Sequence, residues 1–175
     1  STLCRQLVPL LEAVCLQSDR ERKRLHGLQA EQASASPVAG GLYNAAAGNA
    51  TYARLHDLAA LALAAGGTVM VDATFIRQAD RQHMQDLAAA ARARLIILDF
   101  QLPQECLRQR IRQRRQEQQV VSEADEEVLE HQLRVAQPLT CAEQRRSIRI
   151  TATTSAQDAA AAIRDGHPAG SAGGK

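Results

Sequence analysis

The sequence predicts an α/β fold in three layers, with a mostly parallel sheet between helices, and three observations predict it. Short apolar runs alternate with helix-period stretches along the whole chain. Two of the runs, Val69-Met70-Val71 and Leu95-Ile96-Ile97-Leu98, are apolar at every position, as strands buried on both faces are. The first of them ends abruptly in Asp72, and in an open parallel sheet the C-terminal edge of a strand is where ligands bind.

In order, Leu3, Leu7, Leu10 and Leu11 have helical spacing over Ser1 to Glu12, with Pro9 dissonant in the interior. Ala13 to Gln17 reads as a short strand. Ser18 and Glu21 have the spacing of a capping box and open a helix through Leu25, which puts Asp19 on a strand-to-helix corner. From Gly27 to Gly48 no periodicity is present, and the composition predicts a mobile loop. Ala50 to Ala65 carries Leu55, Leu58, Ala59, Ala62 and Leu63 on one helical face, and Gly66-Gly67 suits a left-handed helix end before the strand at Val69.

A helix over Gln78 to Arg92 precedes a strand over Arg94 to Phe100. Pro103 opens an arginine-rich helix with Leu107 and Ile111 on its apolar side, and a further helix from Ser122 stops before Pro138. A last strand, Ser147 to Thr151, leads to a helix from Ser155 to Gly166. These elements define one domain over 1–165, with a mobile loop at 27–48 and a lid region at 103–137. Residues 166–175 read as a disordered tail.

Composition narrows the function classes. The 175 residues are 45% hydrophobic but only 2% aromatic, and the net charge is +2. A nucleic-acid binder would need an electrostatic footprint or stacking platforms, and the chain has neither, despite its local arginines. No apolar run is long enough to span a membrane. Cys4, Cys15, Cys106 and Cys141 lie far apart without a C-x-x-C pair, which favours reduced thiols and a cytoplasmic location. The five histidines have no metal-ligand spacing.

Several stretches carry a family resemblance. Ser1-Thr2-Leu3 running into a helix resembles the end of a Walker A motif, G-x-x-x-x-G-K-[ST], without the residues before its hydroxyl. Leu16 to Leu25, Val69 to Phe75, Leu107-x-x-Arg110-Ile111-x-x-Arg114 and Ser122 to Asp125 follow in matching order. Together they are similar to the P-loop kinase-like AAA-type ATPase module fused behind an aminoglycoside phosphotransferase-like domain in bacteria. Gluconate kinase, polynucleotide kinase and zeta toxin are more distant relatives. The resemblance implies the three-layer P-loop NTPase fold, lacking its first strand and phosphate loop, with ATP and Mg²⁺ as cofactors and a small hydroxylated molecule as phosphate acceptor. It also implies a fused domain upstream.

The same resemblance assigns roles. Ser1 and Thr2 would meet Mg²⁺ and phosphate at a helix N-terminus, where the dipole favours anions. Asp72 would be the Walker B-like carboxylate that reaches Mg²⁺ through water. Asp19 would accept the proton of the acceptor hydroxyl, with Arg22 near an anionic substrate group. Arg110 and Arg114 share a helix face and would clamp the transferred phosphate. Thr74 and Arg77 flank the pocket edge as substrate contacts.

Each residue has a plainer explanation: an N-cap serine, a strand-end aspartate, a first-turn aspartate that stabilises any helix, a solvated arginine face. Two readings therefore stand for the chain. It is a kinase or ATPase domain of a longer protein, inactive alone because it has no Walker A lysine, or it is a non-catalytic remnant of that fold. If a central strand is lacking, the strands at Val69 and Leu95 should face a gap or pair directly.

Overall fold

The computed structural model describes residues 2–29, 45–109 and 124–166. Chain order is α1 (Thr2–Leu11), β1 (Ala13–Gln17), α2 (Ser18–Leu25), α3 (Ala45–Ala64), β2 (Thr68–Asp72), α4 (Gln78–Ala90) and β3 (Ile97–Phe100). It continues with helical residues 104–109 (α5), α6 (Ala124–Val135), α7 (Cys141–Gln144), β4 (Ser147–Ile150) and α8 (Ala156–Asp165). The expected alternation of helix and strand is present.

The strands form two parallel pairs. β1 lies beside β2 in a register that matches Ala13 with Thr68 and Gln17 with Asp72. β3 lies beside β4, matching Ile97 with Ser147 and Phe100 with Ile150. No hydrogen-bonded pairing joins β2 to β3 among the described residues. Of the two outcomes expected there, direct pairing does not occur.

Side-chain alternation along β2 sorts the helices into two layers. Met70 packs with Ile96, Leu98, Ile148 and Ile150 against Leu7 of α1 and Ala159 and Ala160 of α8. Val69 and Val71 belong instead to a cluster with Leu16, Leu55, Ala59 and Met84, which brings in α3 and α4. The result is the three-layer arrangement, with Leu7 and Leu55 fully buried on opposite sides.

The glycine stop before β2 forms as expected. Gly66 adopts φ of 78°, its amide donates to Leu63 O at 2.9 Å, and the Gly67 amide donates to Ala62 O at 3.0 Å. This two-bond closure satisfies carbonyls that the helix end leaves over. α8 is capped at both ends: Ser155 Oγ accepts from the Asp158 amide, and Gly166 is left-handed.

Four expectations are corrected. Helix α3 starts at Ala45, so the end of the stretch read as a loop, Ala45 to Gly48, is helical; residues 30–44 lie outside the described residues. The Ser18–Glu21 capping box does not form, because Glu21 is buried and turned toward Arg24 and Arg54 instead. β3 is shorter than its apolar run: residues 94–96 are irregular, and among the described residues β3 has a hydrogen-bonded neighbour, β4, on one side alone. Finally, α7 was not foreseen, although Thr140 and Glu143 have the capping-box spacing. In the structure both halves of that box are made.

Candidate functional site

The C-terminal edges of β1 and β2 coincide, because the register sets Gln17 beside Asp72. Gln17 Nε2 donates to Asp72 Oδ2 at 3.4 Å. Asp19 follows two residues later in the first turn of α2, so both carboxylates predicted from sequence share one edge. Asp19 is held within its own helix by Lys23 at 3.2 Å and Arg22 at 3.6 Å. Its side chain stays 56% exposed, which leaves the carboxylate accessible to a ligand.

Helix α1 brings its first turns near Asp72. The Cys4 thiol is pushed up to about 11, first by burial and then by the negative charge of Asp72. Cys15 in β1 is raised by the same two causes in the same order. Thr2, two residues before Cys4 at the start of α1, is exposed. Cys4 should accordingly resist alkylation at pH 7.5 while exposed Cys141 is modified, a difference that mass spectrometry after brief iodoacetamide treatment reads directly. Equal modification of the two would mean that the Cys4 thiol is neither buried nor beside Asp72.

After β2 the chain turns through a tightly held corner. Phe75 has φ of 45°, in the left-handed region that an aromatic L-residue rarely occupies. Its amide donates to Tyr52 Oη at 3.0 Å, and its carbonyl accepts from Arg81 Nη1 at 3.0 Å. The Tyr52 hydroxyl also lies 3.3 Å from Thr74 Oγ1, and the Tyr52 and Phe75 rings meet edge to face at 5.4 Å. Thr74 therefore stands exposed two residues beyond Asp72.

Arg77, expected from the sequence to flank the pocket edge, is engaged by neighbouring side chains. Its guanidinium pairs with both Asp80 oxygens at 2.8 Å, donates to Asn49 Oδ1 at 2.9 Å and lies 5.9 Å from the Tyr52 ring centre. The Asp80 hydrogen bonds raise its already high pKa. These contacts make it a bridge between α3 and α4, and a substrate anion would have to compete with Asp80 for it.

Behind the corner lies a buried polar knot. Arg81 pairs with Glu143 at 2.7 Å and 3.2 Å, and donates to Gln137 O at 3.1 Å and Pro138 O at 3.0 Å. The Gln137 amide donates to Ile76 O at 2.8 Å, so the strand-end corner is tied to the segment after α6. Sequence reasoning did not single out Tyr52, Arg81 or Glu143. The Thr140-x-x-Glu143 spacing was the available signal for one of them; Arg81 looked like any arginine on an amphipathic helix.

Ser1, Arg110 and Arg114 lie outside the described residues, as does Ser122. Arg22, by contrast, is placed, at the Asp19 carboxylate. A cavity of about 360 Å³ opens at the opposite end of the strands, lined by Leu10, Leu11, Glu12, Thr68, Arg94 and Arg164 among others. It lies at the strand starts, away from the carboxylates. Its arginines are engaged on helix ends, Arg94 on Ile163 O and Arg164 on Leu10 O, so their role there is to cap carbonyls.

The oxygen donors at the carboxylate edge fit Mg²⁺ in kind. That ion keeps several waters and takes one or two carboxylates together with phosphate oxygens. Asp72, at the end of β2, is one such carboxylate. Among the described residues no group of three or more His, Cys, Asp or Glu side chains is placed to hold a metal ion, so an all-protein cage of the kind Zn²⁺ uses is not formed there. No described helix is long and apolar enough to cross a membrane.

Comparison with known proteins adds one finding. A family model described as an AAA domain matches residues 1–139. No curated protein and no solved structure gives a match.

Proposed function

The chain belongs to the AAA domain family, with the α/β architecture of P-loop nucleotide-binding proteins, and from that premise we propose that it is a kinase-type phosphotransfer module. The phosphate acceptor in this reading is a small hydroxylated molecule. The observation that carries it is the shared edge: Asp72 ends β2, Asp19 follows β1 in the first turn of α2, and the β1–β2 register brings both strand ends to the edge where such sheets bind ligands. Mg²⁺·ATP, when bound, supplies the phosphoryl group and the metal that neutralises its charge.

This chain's residues then have distinct tasks. Asp72, its carboxylate met by Gln17, would hold the metal through water. Asp19, exposed and flanked by Arg22 and Lys23, accepts the proton of the acceptor hydroxyl. Thr2 opens α1, whose dipole favours phosphate, and Ser1, which precedes it in the sequence, would add a second hydroxyl for Mg²⁺ and phosphate. Arg110 and Arg114 supply cations over the transferred group. Thr74 contacts the acceptor, while Arg77 braces the corner beneath it.

No G-x-x-x-x-G-K-[ST] occurs in the sequence, so the test compares this chain with a version that supplies one. Calorimetry with Mg²⁺·ATP on this chain, and on a version carrying an apolar strand and a complete phosphate loop upstream, tests the reading. Binding by the longer version alone is the expected result, and Asp72→Asn in that background should weaken it. Absence of binding in both would remove the nucleotide reading and favour a remnant that keeps the fold for interaction. Tight binding by the short chain would show that α1 does not follow a phosphate loop.

A further inference from the structure

We infer that Tyr52 is a positioning residue, whose hydroxyl imposes the left-handed backbone of Phe75 and thereby sets Thr74 beside Asp72 at the site. The inference rests on the phosphotransfer reading for what the site does. Its own basis is the geometry of the corner.

Phe75 is the described residue at which strain and site coincide. Of the three described non-glycine residues with positive φ, Glu12 ends α1 and Arg92 ends α4, where left-handed closures are ordinary. Phe75 closes no helix. It stands three residues after Asp72, between Thr74 and the start of α4, and a bulky residue keeps such a backbone only when its surroundings hold it.

Two partners hold it from opposite sides. Tyr52, from α3, accepts the Phe75 amide, and Arg81, from α4, donates to the Phe75 carbonyl. Arg81 is fixed by Glu143 whatever Phe75 does, since that pair is buried and made by two hydrogen bonds. Tyr52 is the partner that also reaches the exposed Thr74 hydroxyl, at 3.3 Å. Its ring is kept in place independently, edge to face on Phe75 and packed against the cluster of Leu16, Leu55 and Met84. The hydroxyl can therefore be removed without removing the ring.

Without that oxygen the Phe75 amide loses its acceptor, and the peptide gains by rotating to negative φ, where strain is relieved. Rotation there turns the preceding residue, Thr74, away from the edge that Asp72 occupies. A glycine at position 75 takes positive φ without strain, so it should restore the corner even when the tyrosine oxygen is absent.

The experiment compares this chain, Tyr52→Phe, and Tyr52→Phe combined with Phe75→Gly. Backbone NMR gives φ at residue 75 from its HN–Hα coupling and Cα shift, and added Mn²⁺ broadens resonances close to a bound ion. Tyr52→Phe is expected to move residue 75 to negative φ and to abolish Mn²⁺ broadening at Thr74 while the fold's amide dispersion is kept. The double variant is expected to regain both. An unchanged φ at residue 75 in Tyr52→Phe overturns the inference, because Arg81 alone would then impose the corner. A changed φ with Thr74 broadening intact overturns it equally, since the corner would not set Thr74. If the parent chain shows no broadening at Asp72 or Thr74, metal binding by this chain fails. The Thr74 amide and methyl shifts, unmoved in Tyr52→Phe or moved and then restored in the double variant, still decide whether Tyr52 positions that residue.

Discussion

Replacing Arg81 with methionine is expected to cost about 3–5 kcal/mol of stability, the usual consequence of breaking a buried ion pair from one side. The reason is local. Arg81 and Glu143 are 5% and 1% exposed, and the guanidinium also serves three main-chain carbonyls, at Phe75, Gln137 and Pro138. Methionine fills part of the space but supplies none of those donors, leaving the Glu143 carboxylate buried without its cation.

Glu143→Gln should cost less. The arginine keeps its carbonyl partners, whereas glutamine still accepts from the Thr140 amide, which now reaches Glu143 Oε2 at 2.8 Å. Denaturant unfolding of both variants checks the order, and a larger loss for Glu143→Gln would mean that the carboxylate, not the guanidinium, organises the knot.

The pair also sets a pH dependence with a definite sign. Hydrogen bonding from Arg81, followed by the Thr140 contacts, holds the Glu143 carboxyl below its ordinary value, against the opposing effect of burial. A carboxyl depressed on folding contributes stability that is fully present above its unfolded pKa, near 4.3 for glutamate, and is lost as pH falls through the lower folded value. Melting temperature should therefore fall more steeply below about pH 4 for the parent chain than for Glu143→Gln. Parallel acid limbs would show that other carboxylates carry the acid transition.

Leu7→Ala is expected to be as damaging, about 3–5 kcal/mol, with an added loss of cooperativity. Leu7 is 0% exposed and sits in the cluster that draws Met70 from β2 together with Ile96, Leu98, Ile148 and Ile150 from the β3–β4 half. Because β2 and β3 are not hydrogen-bonded to each other, apolar packing under α1 and α8 is what couples the two strand pairs on that side. Truncation there loosens the coupling itself, beyond the missing methyl groups. Hydrogen exchange should then show β3 and β4 opening separately from β1 and β2, whereas in the parent chain the four strands open together. Simultaneous opening in the variant would show that the halves are coupled elsewhere. Leu55→Ala, equally buried but within the β1–β2 half, provides the comparison.

The fold was legible wherever local chemistry points one way. Gly66-Gly67 has a single good use after an amphipathic helix, and it is made; Ser155 and Gly166 bracket α8 as caps should. Val69 to Asp72 announced both a strand and the carboxylate at its end, although that strand is half-buried rather than buried, and the β1–β2 register added Asp19 to the same edge. Legibility failed where one sequence signal served two partners. Glu21 had capping-box spacing, yet its side chain went to Arg24 and Arg54, because the pairing with α3 is available only after the helices dock. The run Arg94 to Phe100 was apolar enough for a longer strand, but ladder formation needs a neighbour as well as a propensity.

What the sequence determined by itself is the alternation of elements, their caps and the chemistry at the strand ends, since these depend on residues close together in the chain. Only the tertiary structure decided which distant groups meet. Arg81 and Glu143 are 62 positions apart, and Tyr52 reaches Phe75 across 23. Neither contact leaves a periodic trace, because a buried arginine or tyrosine occupies the same helical position as a solvated one and differs from it only in what packs against it.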